Sequence, residues 1–306
     1  MKVGYAVLYD NGELVISKNH TILSKTIDKD YGAFEDTSVP WKNESKKINK
    51  VKILNQVKSN CMKEWFDDCT NLTSLIDFTN LDVSDCADFS GMFYHCKSLQ
   101  DLNGLQNWNV SNGTDFSRMF YNCESLKNLN ELKNWNVSNG ADFLGMFYSC
   151  TSLQDISALE DWNVSNGTDF SYMFGSCRSL QNISALEHWN VSNGTDFSYM
   201  FYYCTSLQNI KALESWNVSN GTDFSYMFYY CTSLQNIDAL EDWNISNGRK
   251  FSFMFSSCTS LQEILLPNSL TCLNENLFKD CNPNLKIRWK DHFYTYSDLL
   301  EYEQIF

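Results

Sequence analysis

Over most of the chain the apolar positions are sparse and fixed. In one stretch they fall at Leu207, Ile210, Leu213, Trp216, Val218, Phe224, Met227, Phe228 and Cys231. The first four are spaced by three, which neither an amphipathic helix nor a half-buried strand gives over this length. That spacing suits a coil whose inward side chains come once per short straight segment or corner. Trp216 and Val218 then alternate, which predicts a short strand entering a turn. Asn220-Gly221 is read as that turn, because both residues tolerate positive φ. Thr222 or Asp223 is placed to cap the next element. Phe224, Met227 and Phe228 stand at i, i+3 and i+4, which predicts one buried face of a helix of about two turns.

The pattern returns every 27 residues. Cys96, Cys123, Cys150, Cys177, Cys204, Cys231 and Cys258 keep the step, as do Trp108, Trp135, Trp162, Trp189, Trp216 and Trp243. Self-similarity at such a period predicts a solenoid. One unit cannot bury these side chains alone, but stacked units can, each laying its apolar column on the same column of the next. Like residues then form ladders. The cysteines become a column of small core hydrophobes, and the asparagines satisfy backbone groups at the turns.

The unit, Leu-x-x-Ile-x-x-Leu-x-x-Trp-Asn-Val-Ser-Asn followed by Phe-Ser-Tyr-Met-Phe-Tyr-Tyr-Cys-Thr-Ser-Leu, resembles the BspA-like leucine-rich repeats of bacterial surface proteins. The likeness covers roughly residues 61–264, and Met-Phe-x-x-Cys-x-Ser-Leu is its most specific part. Where that family commonly has Asn-Val-Thr-Asn-Met, this chain has Asn220-Gly221-Thr222-Asp223-Phe224, which exchanges a buried Met for Phe and loosens the turn. The resemblance implies an α/β repeat solenoid of leucine-rich-repeat type, a right-handed coil of short parallel strands and short helices. It also implies a binding or adhesion role, and it carries over no catalytic residue.

The chain divides into three regions: an N-terminal β cap over 1–60, the solenoid over 61–264 and a capping coil over 265–306. In the first, residues 3–9 and 13–17 flank Asp10-Asn11-Gly12, a strong β-hairpin signal, and Lys50–Leu54 reads as a third strand. Residues 18–49 are polar and read as loop with short ordered pieces. Residues 61–87 form a degenerate first coil, with Trp65-Phe66 for Met-Phe and Leu81 where Trp belongs. At the far end 285–289 reads as a strand and 296–305 as a short helix covering the last apolar face.

The net charge of −14 speaks against nucleic acid, whose phosphates need Lys and Arg, and against an anionic membrane surface. It serves solubility, or permits a basic partner or cations. No apolar run is long enough to span a bilayer, so membrane insertion is not expected. The first residues alternate and do not read as a signal peptide. The expected location is therefore extracellular or cell-surface if a leader was removed, and virion-associated or cytoplasmic otherwise. Of twelve cysteines, eight from Cys69 to Cys258 share the core column. Cys61, Cys86, Cys272 and Cys281 fall outside it, and Cys272–Cys281 is the one disulfide to entertain. No Cys-x-x-Cys pair occurs and the histidines are scattered, so neither metal nor cofactor is expected.

Comparing the units with one another exposes candidate contact residues. One column drifts through Asn134, Asp161, His188 and Asp242, as a solvent-facing position does, by neutral change or as a tuned strip. Tyr172, Tyr199 and Tyr226 precede Met-Phe, while Tyr202 and Tyr229 come after it, thickened by Tyr203 and Tyr230. Such rows suit protein or glycan contact, or they are half-buried between coils. Asp88, Asp115, Asp142, Asp169, Asp196 and Asp223 form an acidic column, eased by the helix N-termini expected beside it. A calcium ladder would need a second ligand column, which is missing. Every Asn-Val-Ser is also a glycosylation sequon. A glycan on each coil would have to project from a stacked ladder, which argues against a eukaryotic secretory origin. The composition suits an AT-rich genome such as that of a gut bacterium or its phage. The expectation is a non-enzymatic binding or adhesion protein contacting a protein or glycan. The alternative is a structural component of a larger assembly, a phage virion or surface layer, docking through its caps. No catalytic constellation recurs.

Overall fold

The computed structural model describes residues 2–270, 275–290, 292–295 and 298. The expected hairpin is present: β1 (Lys2–Tyr9) pairs antiparallel with β2 (Glu13–Ser17). Its turn places Gly12 at φ +81 and returns the Gly12 N–H to the Tyr9 carbonyl at 2.9 Å. The stretch read as loop contains a nine-residue strand, β3 (Ile27–Glu35), antiparallel to β1. Only Phe34 of β3 is buried, so no apolar periodicity announced it, and its backbone bonds to β1 hold it in place. The third strand expected at Lys50–Leu54 is β4, parallel to β2. Two-residue β5 (Val57–Lys58) precedes β6 (Ser74–Ile76), which extends the sheet beside β4, and β5 pairs with β7 (Leu81–Asp82). The sheet order β3-β1-β2-β4-β6 thus passes from the N-terminal hairpin into the first coil. Trp41, Trp65, Phe34 and Phe66 weld this seam, with the Trp41 indole N–H on the Trp65 carbonyl at 2.6 Å.

The array is a stack of coils, as the period requires, but its local structure differs from the expectation. In the regular coils the short strands reduce to single parallel bridges, one per coil, from Asp88–Asp115 to Asp223–Lys250, with one more at Asn128–Asp155. The helix expected at Phe224, Met227 and Phe228 is a pair of linked turns. Tyr226 and Tyr230 sit at φ 58 and 60, in the left-handed region that no α-helix admits. Met227 and Cys231 donate back three residues, to Phe224 and Phe228. The alternate N–H groups, of Phe224, Tyr226, Phe228 and Tyr230, donate to the next coil, each at 2.9 Å. An α-helix would have kept those donors for itself. The only helical pieces in the regular coils are three-residue 3₁₀ turns, such as Ser184–Leu186 and Lys211–Leu213.

Three side chains of each unit tie it to the unit before. The Trp189 indole N–H donates to the Leu159 carbonyl at 2.9 Å, the Cys177 thiol to the Phe147 carbonyl at 3.2 Å, and the Asn193 amide to the Ser165 carbonyl at 2.7 Å. The same bonds recur along the array. Parallel phenyl rings stack between coils, Phe170 on Phe197 at 5.7 Å and Phe174 on Phe201 at 5.9 Å. Neither Asn220 nor Gly221 has positive φ, contrary to expectation. Asn220 is there for its bond to Ser192, and Gly221 because a Cβ would lie 2.4 Å from Phe224 Cζ and 3.0 Å from the Val218 carbonyl oxygen.

The eight column cysteines are buried free thiols. Cys281 joins them, contrary to the sequence reading. Its Sγ donates to the Phe255 carbonyl at 3.0 Å and Phe278 stacks on Phe255 at 5.6 Å, so both columns continue into a shortened coil. Cys272 lies outside the described residues, as does the stretch 296–305 apart from Asp298. The strand expected near 285–289 is β9 (Lys286–Trp289), between parallel β8 (Glu263–Leu265) and antiparallel β10 (His292–Thr295). Among the described residues no helix is long and apolar enough to cross a membrane. Burial pushes the core thiols up, Cys150 and Cys204 to about 12. A thiol-reactive chromophore is therefore expected to label half-exposed Cys61 first among the described cysteines and to reach the core column only on unfolding. Rapid labelling of the core in native buffer would contradict the stack.

Candidate binding surface

The linked turns build the surface. Each contains two left-handed positions, and the first recurs at Glu64, Gly91, Arg118, Gly145, Tyr172, Tyr199, Tyr226 and Phe253, all with φ between 54 and 60. The second is filled by Asp68, His95, Asn122, Ser149, Ser176, Tyr203, Tyr230 and Ser257. Glycine at two of the first set, and Asn, Asp, Ser and His in the second, are residues a left-handed position favours or tolerates. Tyrosine is not, so its cost there is on the order of 1 kcal/mol.

The tyrosines at and beside these positions form a continuous aromatic file. Tyr94, Tyr121 and Tyr148 stack at 4.7 and 4.6 Å. At Gly175 the file changes column. Tyr148 leans over that glycine, where a Cβ would be 2.8 Å from its ring, and meets Tyr172 edge-on at 5.7 Å. The file continues through Tyr199, Tyr226 and Phe253 at 4.3, 4.6 and 5.0 Å. Tyr202–Tyr229 and Tyr203–Tyr230 run alongside at 5.4 and 4.4 Å. All of these phenols are half-buried except Tyr230, which is 38% exposed. Burial pushes the hydroxyls of Tyr94, Tyr172, Tyr199 and Tyr202 up, and that of Tyr121 to about 12 with help from Tyr148 and Tyr94.

The acidic column lies beside this file. Asp115 shares with Tyr94, Tyr121 and Arg118 a groove of about 580 Å³ opened by Gly91. The helix N-termini expected to ease the column are absent from the regular coils. Instead each carboxylate accepts the N–H two residues on, as Asp196 does from Ser198 at 2.9 Å. Lys250 closes the row on Asp223 at 2.8 Å, and Lys63 approaches Asp88 at 3.9 Å. Burial pushes the Asp196 carboxyl up, and neighbouring Asp169 and Asp223 add to this. At Asp223 burial also pushes up, but Lys250 and Ser225 outweigh it and the carboxyl falls below the usual range. The signs differ. Asp196 is strained while ionised, so its contribution improves as pH falls through its raised pKa. Asp223 stabilises at neutral pH and loses that as pH falls through its lowered one. Asp196→Asn keeps the turn acceptor and removes the charge. It is expected to raise the urea midpoint slightly at pH 7, a gain in stability of under about 1 kcal/mol that shrinks in acid. A lowered midpoint at pH 7 would refute the strain.

Asn134, Asp161, His188 and Asp242 are exposed but stand apart, just after the 3₁₀ turns. Ser215, from the same column, lines a separate groove of about 360 Å³ with Asn182, Glu187, Asn209, Lys211 and Glu214. Two predicted strips therefore occupy two places on the coil. The left-handed backbone under the tyrosines was missed, although Gly91 and Gly145 in their column marked it.

The family described as Mycoplasma protein of unknown function, DUF285, matches residues 60–185 and 154–268, most of the chain. The chain belongs to this family. DUF285 is a repeat family of the BspA-like leucine-rich type, in accord with the resemblance carried by Met-Phe-x-x-Cys-x-Ser-Leu. No curated protein matches the chain. Among solved structures, this DUF285 member is similar to a leucine-rich cell surface protein from Faecalibacterium prausnitzii at 17% identity, over 95% of each chain, with a TM-score of 0.38. A leucine-rich repeat protein from Bacteroides ovatus is similar at 14% identity over 94% of this chain and 89% of its own, TM-score 0.35. One from Eubacterium ventriosum is similar at 13%, over 92% and 95%, TM-score 0.25. No residue role is carried over from structures this distant.

Proposed function

We propose that this DUF285 protein is a non-enzymatic binding protein whose contact surface is the tyrosine file of its later coils. The observation that supports this is the placement of Tyr199, Tyr203, Tyr226 and Tyr230 at left-handed positions where some other coils hold Gly91, Gly145, Ser149 and Ser176. A cost accepted repeatedly on an outer surface is the mark of a retained contact. Rigid phenols are well suited to a macromolecular partner. The test is a peptide library and a glycan array probed with the wild type and with a Tyr199→Gly, Tyr203→Ser, Tyr226→Gly, Tyr230→Ser variant. Each replacement already occupies the equivalent place in another coil, so the variant is expected to fold. Ligands held by the wild type and lost by the variant would support the reading, and equal binding by both would end it.

A second reading, assembly through the caps, draws on Phe293. It lies 70% exposed on β10, at the edge of the order β10-β9-β8. Concentration-dependent association in sedimentation, abolished by Phe293→Ser, would favour it. A monomer at all concentrations would count against it.

A further inference from the structure

The packing of the file decides which chemistry it can still offer. Tyr172, Tyr199 and Tyr226 spend their faces on one another. A sugar ring needs an open aromatic face, and along the file few remain. What is left outward is ring edge and hydroxyl, bordered by a row of carboxylates. Two rings at the ends of stacks carry one of the chain's own cations. The Arg178 guanidinium stands 6.0 Å from the Tyr203 centroid, and the Lys279 ammonium 5.9 Å from that of Phe253. The ends of the carboxylate row are likewise met by Lys63 and Lys250. Between them, at Asp115, Asp142, Asp169 and Asp196, no ion pair is formed among the described residues.

The field points the same way. Residues 64–263 carry 24 carboxylates against eight Lys and Arg, so an acidic partner, or the same face of a second copy, would be repelled. We infer that the tyrosine file over the coils from Asp169 to Tyr230 docks a basic segment of a protein. Its Arg and Lys stems lie along the ring edges, and their heads reach the phenol hydroxyls, Asp169 and Asp196. Long cationic side chains combine an apolar stem with a charged head, which is what this border of rings and carboxylates complements. The inference rests on the tyrosine file being the contact surface and adds the class of partner.

The experiment measures binding of short peptides matched in aromatic content but basic, neutral or acidic, beside a panel of neutral glycans. Three proteins are compared: wild type, the four-tyrosine variant above, and Asp169→Asn with Asp196→Asn, which keeps both turn acceptors. Basic peptides are expected to bind, and to weaken by about tenfold between low and physiological salt. The tyrosine variant is expected to lose about thirtyfold, and the double Asn variant about tenfold. Binding of neutral peptides or glycans that the tyrosine variant loses and the Asn variant keeps would overturn the basic partner and leave the surface standing. Binding of basic peptides undiminished in the tyrosine variant would overturn both. No measurable binding of any basic peptide would overturn the inference.

Discussion

Trp189→Ala is expected to destabilise the array by about 4 kcal/mol, as large-to-small changes in a close-packed core do. The indole is nearly inaccessible and stacks on Trp162 at 6.5 Å with planes 3° apart. Its N–H is also the partner of the Leu159 carbonyl. Two contributions can be separated. Trp189→Phe fills most of the space and is expected to cost about 2 kcal/mol, for the volume lost and for the Leu159 carbonyl, which keeps only the backbone N–H of Trp162 as donor. Because each coil is stabilised by its neighbours, the alanine variant is further expected to split one cooperative transition into two, one for each side of the lesion. Urea unfolding followed by circular dichroism reads both effects. A loss below about 1 kcal/mol for the alanine variant would show that the indole ladder is not what holds the coils together.

Gly194→Ala is expected to cost about 2–3 kcal/mol, as forcing an atom into a filled core does. The new methyl would lie 2.4 Å from Phe197 Cζ and 3.0 Å from the Val191 carbonyl oxygen. Phe197 is wedged between Phe170 and Phe224 at 5.7 and 5.6 Å, so it has nowhere to retreat. Gly145→Ala is the control. There φ is +57 and the nearest atom to the new methyl is 3.4 Å away. Its cost is the left-handed backbone alone, about 1 kcal/mol. Urea midpoints of the two variants should rank in that order. The reverse ranking would mean that the turn before Phe197 is governed by backbone angle, as the Asn-Gly pair suggests at first sight, and not by the closeness of the ring.

That pair shows where a sequence is easily misread. Asn193 and Gly194 look like a turn chosen for its dihedrals, yet one is an inter-coil donor and the other an empty volume. The Phe-x-x-Met-Phe spacing misleads similarly, because i, i+3, i+4 describes one side of a helix and one side of a double turn equally well. Only φ at Tyr226 and Tyr230 separates them. The clue lay in other units, where the same places hold Gly91, Gly145, Asn122 and Ser149. By contrast, Cys177 and Trp189 were legible from spacing alone, since identical residues one period apart have to meet when units stack. The tyrosine rows were legible for the same reason. The step of the file at Gly175 was not, because it depends on Tyr148 leaning across a neighbour. β3 escaped because a strand with one buried side chain leaves no apolar trace.

The indole, thiol and amide bonds all reach backward by one unit and by nothing else. They are defined relative to a neighbour, with no reference to distance from either end. Excising or inserting one 27-residue period between equivalent points therefore leaves every seam with its donor and its acceptor. Unequal crossing-over within the gene can lengthen or shorten this molecule as a ruler is lengthened, changing its reach while the cross-section of every coil stays the same.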